Sequence, residues 1–256
     1  MTKSLNRYKE NKKNTQNDFN YLESMKEYFD GSVGTTIEKL VNFPKYVPRQ
    51  NLTYFLSKYE IFKKILNING SIIECGVLAG GGLMTFLQLS SIFEPVNHTR
   101  KVIGFDTFSG FPNLTKQDKG SISQFAKKGG LSLPAGSYED LKKCIELYDM
   151  NRFLNHIPKA ELIRGDVSIT IPKYLKNNPH LVVSLLYLDF DLYKPTKIAL
   201  ENFVPRMPKG GVIVFDELNS KEYVGETKAV LETLDIRNLK IERFPFNTFM
   251  SYVILD

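Results

Sequence analysis

From residue 71 onward, short apolar runs alternate with longer segments in which apolar side chains recur every three or four positions. The runs SIIEC, KVIGFD, AELIRG, LVVSLLYLD and GGVIVFDE read as strands. The stretches LMTFLQLSSIF, YEDLKKCIELYDMN, SITIPKYLKNN and the segment that ends near residue 203 read as helices, with one more over 220–234. Repeated strand–helix units predict a parallel sheet with helices on both faces, and near-continuous apolar runs are what strands buried on both sides carry. Pro172 is expected in the first turn of its helix, where a missing N–H does no harm. IERFPF and FMSYVILD close the chain as two strands without a helix between them, which predicts a hairpin at one edge.

Ahead of this alternation, residues 18–42 predict one or two short helices, with Phe19, Leu22, Met25 and Phe29 on one stripe and a break at Asp30-Gly31. The proline-bounded connector NFPKYVPRQ leads to a longer helix through Leu52, Phe55, Leu56, Tyr59, Phe62 and Leu66. The expected organisation is a helical region over 1–69 followed by an α/β domain over 70–256.

Composition narrows the class of partner. The 34 basic and 28 acidic residues leave a formal charge of +6, part of it in Lys3, Arg7, Lys9, Lys12 and Lys13. That start reads as solvated and partly disordered. No basic stripe interleaved with aromatics follows it, so nucleic acid is not an expected partner. A mildly basic surface suits an anionic small substrate. The two cysteines, Cys75 and Cys144, form no CxxC, which excludes a disulfide framework and a cysteine zinc site and suits a reducing compartment. No apolar stretch approaches membrane-spanning length and no signal-peptide pattern opens the chain, so the expected location is cytoplasmic.

In doubly wound sheets, ligands bind at the carboxyl ends of the strands. The first strand ends in Glu74, followed by a glycine-rich turn with Gly76, Gly80, Gly81 and Gly82. Its spacing is neither the dinucleotide fingerprint nor a P-loop, and an acid ahead of the turn suits a cationic or hydroxyl-bearing ligand. The second strand ends in Asp106, a position that commonly accepts hydrogen bonds from ribose hydroxyls. The third delivers Asp166, the fourth Asp189 and Asp191, and the fifth Asp216 and Glu217. Asp189, Asp216 and Glu217 come from neighbouring strands, and their oxygens suit a hard cation such as Mg²⁺. Asp191 is placed to take a proton or bind the substrate. A second reading of Asp189-Phe190-Asp191 is a cap for the helix near Pro195. Residues 107–136 form a long glycine-containing stretch of the kind a domain keeps for function. Its Lys116, Lys119, Lys127 and Lys128 read either as partners for a phosphate or as solvated loop charges.

Taken together, Glu74-Cys75-Gly76 with Gly80-Gly81, GFDTFSGFP, LDFDLYKPT and GGVIVFDE resemble the macrocin O-methyltransferase family of S-adenosylmethionine-dependent sugar O-methyltransferases over roughly residues 45–255. The resemblance implies a class I methyltransferase fold, a Rossmann-like seven-stranded sheet of order 3-2-1-4-5-7-6 with strand seven antiparallel. It implies that Glu74 and the 76–81 turn hold the methionine part of the cofactor, Asp106 the ribose, and Asp166 and Val167 the adenine border. It also implies a divalent metal on Asp189, Asp216 and Glu217. The family more often has aspartate where this chain has Glu217. With no histidine in these motifs, the base is an aspartate, Asp189 or Asp191. Tyr46, Arg49 and Gln50 fall in a segment that folds over the cofactor in relatives, and Phe108 and Phe111 would form a second wall of the acceptor site. The implied acceptor is a sugar hydroxyl, on a nucleotide sugar or a glycosylated product, and relatives often self-associate. The competing readings are a nucleotide-dependent oxidoreductase on a related sheet, which the missing fingerprint disfavours, and a non-catalytic cofactor-binding homologue.

Overall fold

The apolar runs become strands β1 (Ser71–Cys75), β2 (Val102–Asp106), β3 (Ala160–Arg164), β4 (Val183–Leu188), β5 (Val212–Phe215), β6 (Glu242–Phe244) and β7 (Asn247–Ile254). In the computed structural model, which describes residues 15–256, they form one sheet of order β3-β2-β1-β4-β5-β7-β6. β1 to β5 pair in parallel, whereas β7 runs antiparallel to both β5 and β6. This is the class I methyltransferase order, and the closing strands form the expected edge hairpin.

Two units divide the chain, the first ending at Tyr54 and the second running Phe55–Asp256. The first holds α1 (Gln16–Gly31) and α2 (Thr36–Val41), each opened by a reciprocal cap, Thr15 with Asp18 and Thr35 with Glu38. Tyr46 packs inside this unit, its ring centroid 5.8 Å from Tyr28 and 5.1 Å from Phe29. Arg49 opens α3 (Arg49–Ile65), which crosses the division. The later turns of α3 belong to the α/β unit because Ile61, Phe62 and Ile65 are fully buried there. The basic cluster from Lys3 to Lys13 lies outside the described residues.

The remaining helices are α4 (Gly81–Phe93), α5 (Ser137–Met150), α6 (Val167–Asn177), α7 (Tyr193–Phe203) and α8 (Val224–Thr233). Strand alternation sorts side chains between two helical layers. Ile73, Cys75, Leu186, Leu188, Ile213 and Phe215 share one core with Val167 and Ile171 of α6 and with Leu200 and Phe203 of α7. Glu74 and Tyr187 alternate with these residues, so they face the opposite layer, where the Phe86 ring of α4 meets Tyr187 edge-on at 5.8 Å.

One helix departs from expectation. α6 starts at the Asp166 cap, which accepts from the Ser168 amide, and so carries Pro172 inside the helix instead of in its first turn. The cap fixes the start, and the missing N–H of Pro172 leaves the Ser168 carbonyl without its usual helical donor.

Candidate active site

A cleft of about 720 Å³ opens at the carboxyl ends of β1, β2, β3 and β4. Gly76, Asp106, Asp166, Val167, Asp189 and Asp191, all expected site residues, line it together. Gly76 is indispensable to its floor. It sits at φ +95, and a Cβ there would stand 1.9 Å from the Asp189 carbonyl oxygen.

Asp106 ends β2 and anchors both flanking loops. Its Oδ2 accepts from the Leu78 amide at 2.8 Å and its Oδ1 from the Phe108 amide at 2.6 Å. A carboxylate has further lone pairs, so hydroxyls in the cleft can still bind it. Burial pushes the Asp106 carboxyl up, against the amide hydrogen bonds that pull it down. Leu78 and Phe108 both take left-handed backbone, as do Leu131 and Asp191, with φ between +48 and +63, and all four line the cleft. For side chains with a Cβ, such backbone costs about 1–3 kcal/mol each and gathers at functional sites.

Residues 107–136 wall the cleft through Phe108, Phe111, Pro112, Leu131 and Leu133. The wall is fastened, not loose. Phe111 exchanges backbone hydrogen bonds with Gly130 and Gly129, both at 2.9 Å. The Phe111 ring meets Tyr223 edge-on at 5.8 Å. Asp118, nearly fully buried, accepts from the Thr115 amide and hydroxyl, each at 2.7 Å, and from the Tyr193 amide at 2.8 Å. Tyr193 is the first residue of α7, which has no cap from its own neighbours. Asp118 therefore caps α7 from a distance of 75 residues, and Asp189 and Asp191 do not serve as its caps. Replacing Asp118 with alanine strands those donors, and urea unfolding should show a loss of about 2 kcal/mol. An unchanged midpoint would remove the anchor role. Lys116, Lys119, Lys127 and Lys128 stand exposed on this loop and are not part of the cleft lining.

Asp189 and Asp191 follow β4 into the cleft. Burial raises both carboxyls well above the ordinary aspartate range. For Asp189 the next largest cause is repulsion from Asp216, opposed by Lys58, and for Asp191 it is repulsion from Asp189 and Glu217. Asp216 and Glu217 follow β5. Asp216 Oδ1 accepts from the Tyr187 hydroxyl at 3.0 Å, and the Glu217 amide donates to Glu226 Oε1 at 3.0 Å. The other Glu226 oxygen is buried without a partner, and burial pushes that carboxyl well up.

The acids expected to hold a metal do not form a ready chelate. Among the described residues no group of three or more His, Cys, Asp and Glu side chains is spaced to hold an ion. As a donor set they still fit a hard divalent cation chemically, because they are crowded oxygen ligands whose mutual repulsion such a cation would relieve.

Glu74, Gly80, Gly81, Asp216 and Glu217 do not line the cleft. Glu74 lies beneath the start of α4, its Oε1 1.8 Å from where a Cβ on Gly82 would stand, and its Oε2 has no partner. Gly80 caps α4 with left-handed backbone and Gly81 begins it. Strand parity explains the placement, since Glu74 points to the layer opposite Cys75.

The family model for macrocin O-methyltransferase matches residues 57–240. The chain belongs to the macrocin O-methyltransferase family. A curated relative, the demethyldecarbamoylnovobiocin O-methyltransferase of Streptomyces niveus, is 24% identical over 173 residues, 66% of this chain and 62% of that protein. The chain thus spans less than two thirds of that relative's length. Among solved structures, the calicheamicin methyltransferase CalS11 superposes with a TM-score of 0.90 at 31% identity, covering 94% of this chain and 93% of CalS11. The O-methyltransferase NovP shares the fold at 17% identity, with a TM-score of 0.62 over 79% of each chain.

Sequence reasoning passed over Lys58, Asp118, Tyr187 and Glu226. Lys58 carried a legible signal, a charged residue on the stripe of α3 that also holds Phe55 and Ile61-Phe62. Tyr187 was the one hydroxyl-bearing aromatic in the β4 run. Asp118 and Glu226 look like ordinary loop and first-turn acids until their partners are placed.

Proposed function

We propose that this macrocin O-methyltransferase family member moves a methyl group from S-adenosylmethionine to a hydroxyl of a sugar. The observation that carries the reading is the cleft itself, in which Asp106 and the Asp189–Asp191 pair face one space from different strand ends. S-adenosylmethionine supplies the electrophilic sulfonium methyl. On this reading Asp106 receives the ribose hydroxyls, Asp166 and Val167 border the adenine, and Phe108, Phe111 and Leu133 keep water from the reacting end.

A sugar hydroxyl is a weak acid and needs a base close by. Asp191 is the residue favoured for that role, since it is buried, lines the cleft and is held in left-handed backbone at φ +63. Asp189, with Asp216 and Glu217, would hold a hard divalent cation such as Mg²⁺, which when bound supplies Lewis-acid polarisation of the acceptor hydroxyl. Asp189 also orients the acceptor by accepting from a neighbouring hydroxyl, which fixes the line of attack. A nucleotide-linked sugar is the acceptor class proposed. CalS11 is described as a TDP-rhamnose 3'-O-methyltransferase, and here the loop lysines offer positive charge at the surface of the wall.

Calorimetric titration with S-adenosylhomocysteine tests the cofactor. Binding in the micromolar range is expected, weakened about tenfold to a hundredfold in Asp106→Ala through lost hydrogen bonds to the ribose. Absence of binding in the wild type would overturn the reading. Equal affinities in wild type and variant would remove Asp106 from it.

A further inference from the structure

A buried hydrogen-bond chain runs beneath the acidic end of the site. Lys58 on α3 places its Nζ 2.9 Å from the Tyr187 hydroxyl and 4.1 Å from the Tyr187 ring centroid. The Tyr187 hydroxyl lies 3.0 Å from Asp216 Oδ1. Tyr187 is fully buried and Lys58 nearly so, at 7% exposure. Glu74, the register partner of Tyr187 on β1, lies alongside.

The direction of this chain is forced by its chemistry. An ammonium has only hydrogens to give, so the Tyr187 oxygen must accept from Lys58. The phenol has one hydrogen, and with its oxygen already accepting from Lys58 that hydrogen is free to be donated onward. That hydrogen has Asp216 as its acceptor. Linked bonds polarise one another, so the lysine charge strengthens the tyrosine's hold on the carboxylate. Burying a lysine is costly, and an apolar residue would fill the space with less penalty. The chain ends instead on the acid that follows β5.

We infer that Lys58 and Tyr187 are positioning residues that orient the Asp216 carboxylate at the methyl-transfer site through this polarised chain. The inference rests on the functional reading above, in which Asp216 belongs to that site. Asp216 is then one of the acids whose orientation is set from the far layer of the sheet, by a helix that lies outside the cleft lining.

Tyr187→Phe deletes the linking hydroxyl and keeps the ring, and it is the decisive variant. Its turnover number is expected to fall about tenfold, with the KM for S-adenosylmethionine within about twofold of wild type. Lys58→Met should fall similarly, Lys58→Arg should recover most of the loss, and the Tyr187→Phe/Lys58→Met pair should fall little further than either alone. A crystal structure of Tyr187→Phe should show the Asp216 carboxylate rotated from its wild-type position. Wild-type turnover in Tyr187→Phe, with Asp216→Asn inactive, would overturn the positioning role and leave the site reading standing. Full turnover in Asp216→Asn would take away the site reading and the inference with it. An unmoved Asp216 in the Tyr187→Phe structure would also overturn the positioning role.

Discussion

Asp189→Asn is expected to lower the methyl-transfer turnover by at least a hundredfold while leaving S-adenosylhomocysteine affinity within about threefold of wild type. The substitution keeps the shape of the side chain and removes its charge and one acceptor. Asp189 sits where the floor of the cleft meets the acids that follow β5, with burial and then Asp216 dominating its environment. An amide there can neither share a hydroxyl proton nor contribute a charged ligand to a cation. Asp106 and its amide partners, the proposed cofactor side, are untouched. Rapid-quench turnover with a nucleotide-sugar acceptor, paired with calorimetry, separates the two effects. A parallel thermal-shift titration with Mg²⁺ should show a rise in the wild type that is lost in the variant. Full turnover in Asp189→Asn would sink the assignment of this residue to the chemistry.

The second large effect concerns stability. Burial, opposed by Lys58, pushes Glu74 from an ordinary value of 4.5 up to about 8. Its folded pKa therefore stands above its unfolded one. The stability it contributes is complete below about pH 4.5 and is lost as the pH rises through about 8. The slope for one such group is about 1.4 kcal/mol per pH unit, which gives an upper bound of about 5 kcal/mol across the window. Gln cannot ionise, so Glu74→Gln should lack this decline. A fixed penalty of about 1–3 kcal/mol for an amide NH₂ placed where Oε2 has no partner shifts the whole profile and does not bend it. Urea unfolding at pH 5 and pH 8.5 should show the variant gaining several kcal/mol relative to wild type at the higher pH, by order of magnitude. Parallel profiles would show that Glu74 titrates normally.

Much of this was legible in the order of residues. The alternation of apolar runs and helical stripes yields the parallel sheet, and the family resemblance supplies the strand order. Six residues expected at the site do meet in one cleft, four of them acids that the ends of parallel strands carry to a shared rim, while Asp216 and Glu217 after β5 stay outside its lining. Glu74, which is also outside the lining, shows why. Position along the strand brings it to the rim, but parity turns it into the helical layer, where Gly82 makes room for it. The link from Lys58 to Tyr187 spans 129 residues and the cap from Asp118 to Tyr193 spans 75, so no local pattern announces either. Pro172 shows the same limit at short range, since the Asp166 cap and not the proline decides where α6 begins.

The fastened loop also bears on how the acceptor range can drift. Its first and last portions are clamped by the Phe111–Gly130 and Asp118–Tyr193 contacts, while Lys119, Ile122, Lys127 and Lys128 between them are exposed. The interval is tied down by its backbone at Ile122 and Ser123, which donate to Lys221 and Glu222, so changes of side-chain charge at the exposed lysines leave both clamps in place. On the proposed reading, natural variation, or a library directed at those side chains, can thus exchange the outer surface met by a new acceptor while the proposed methyl-donor side is inherited unaltered.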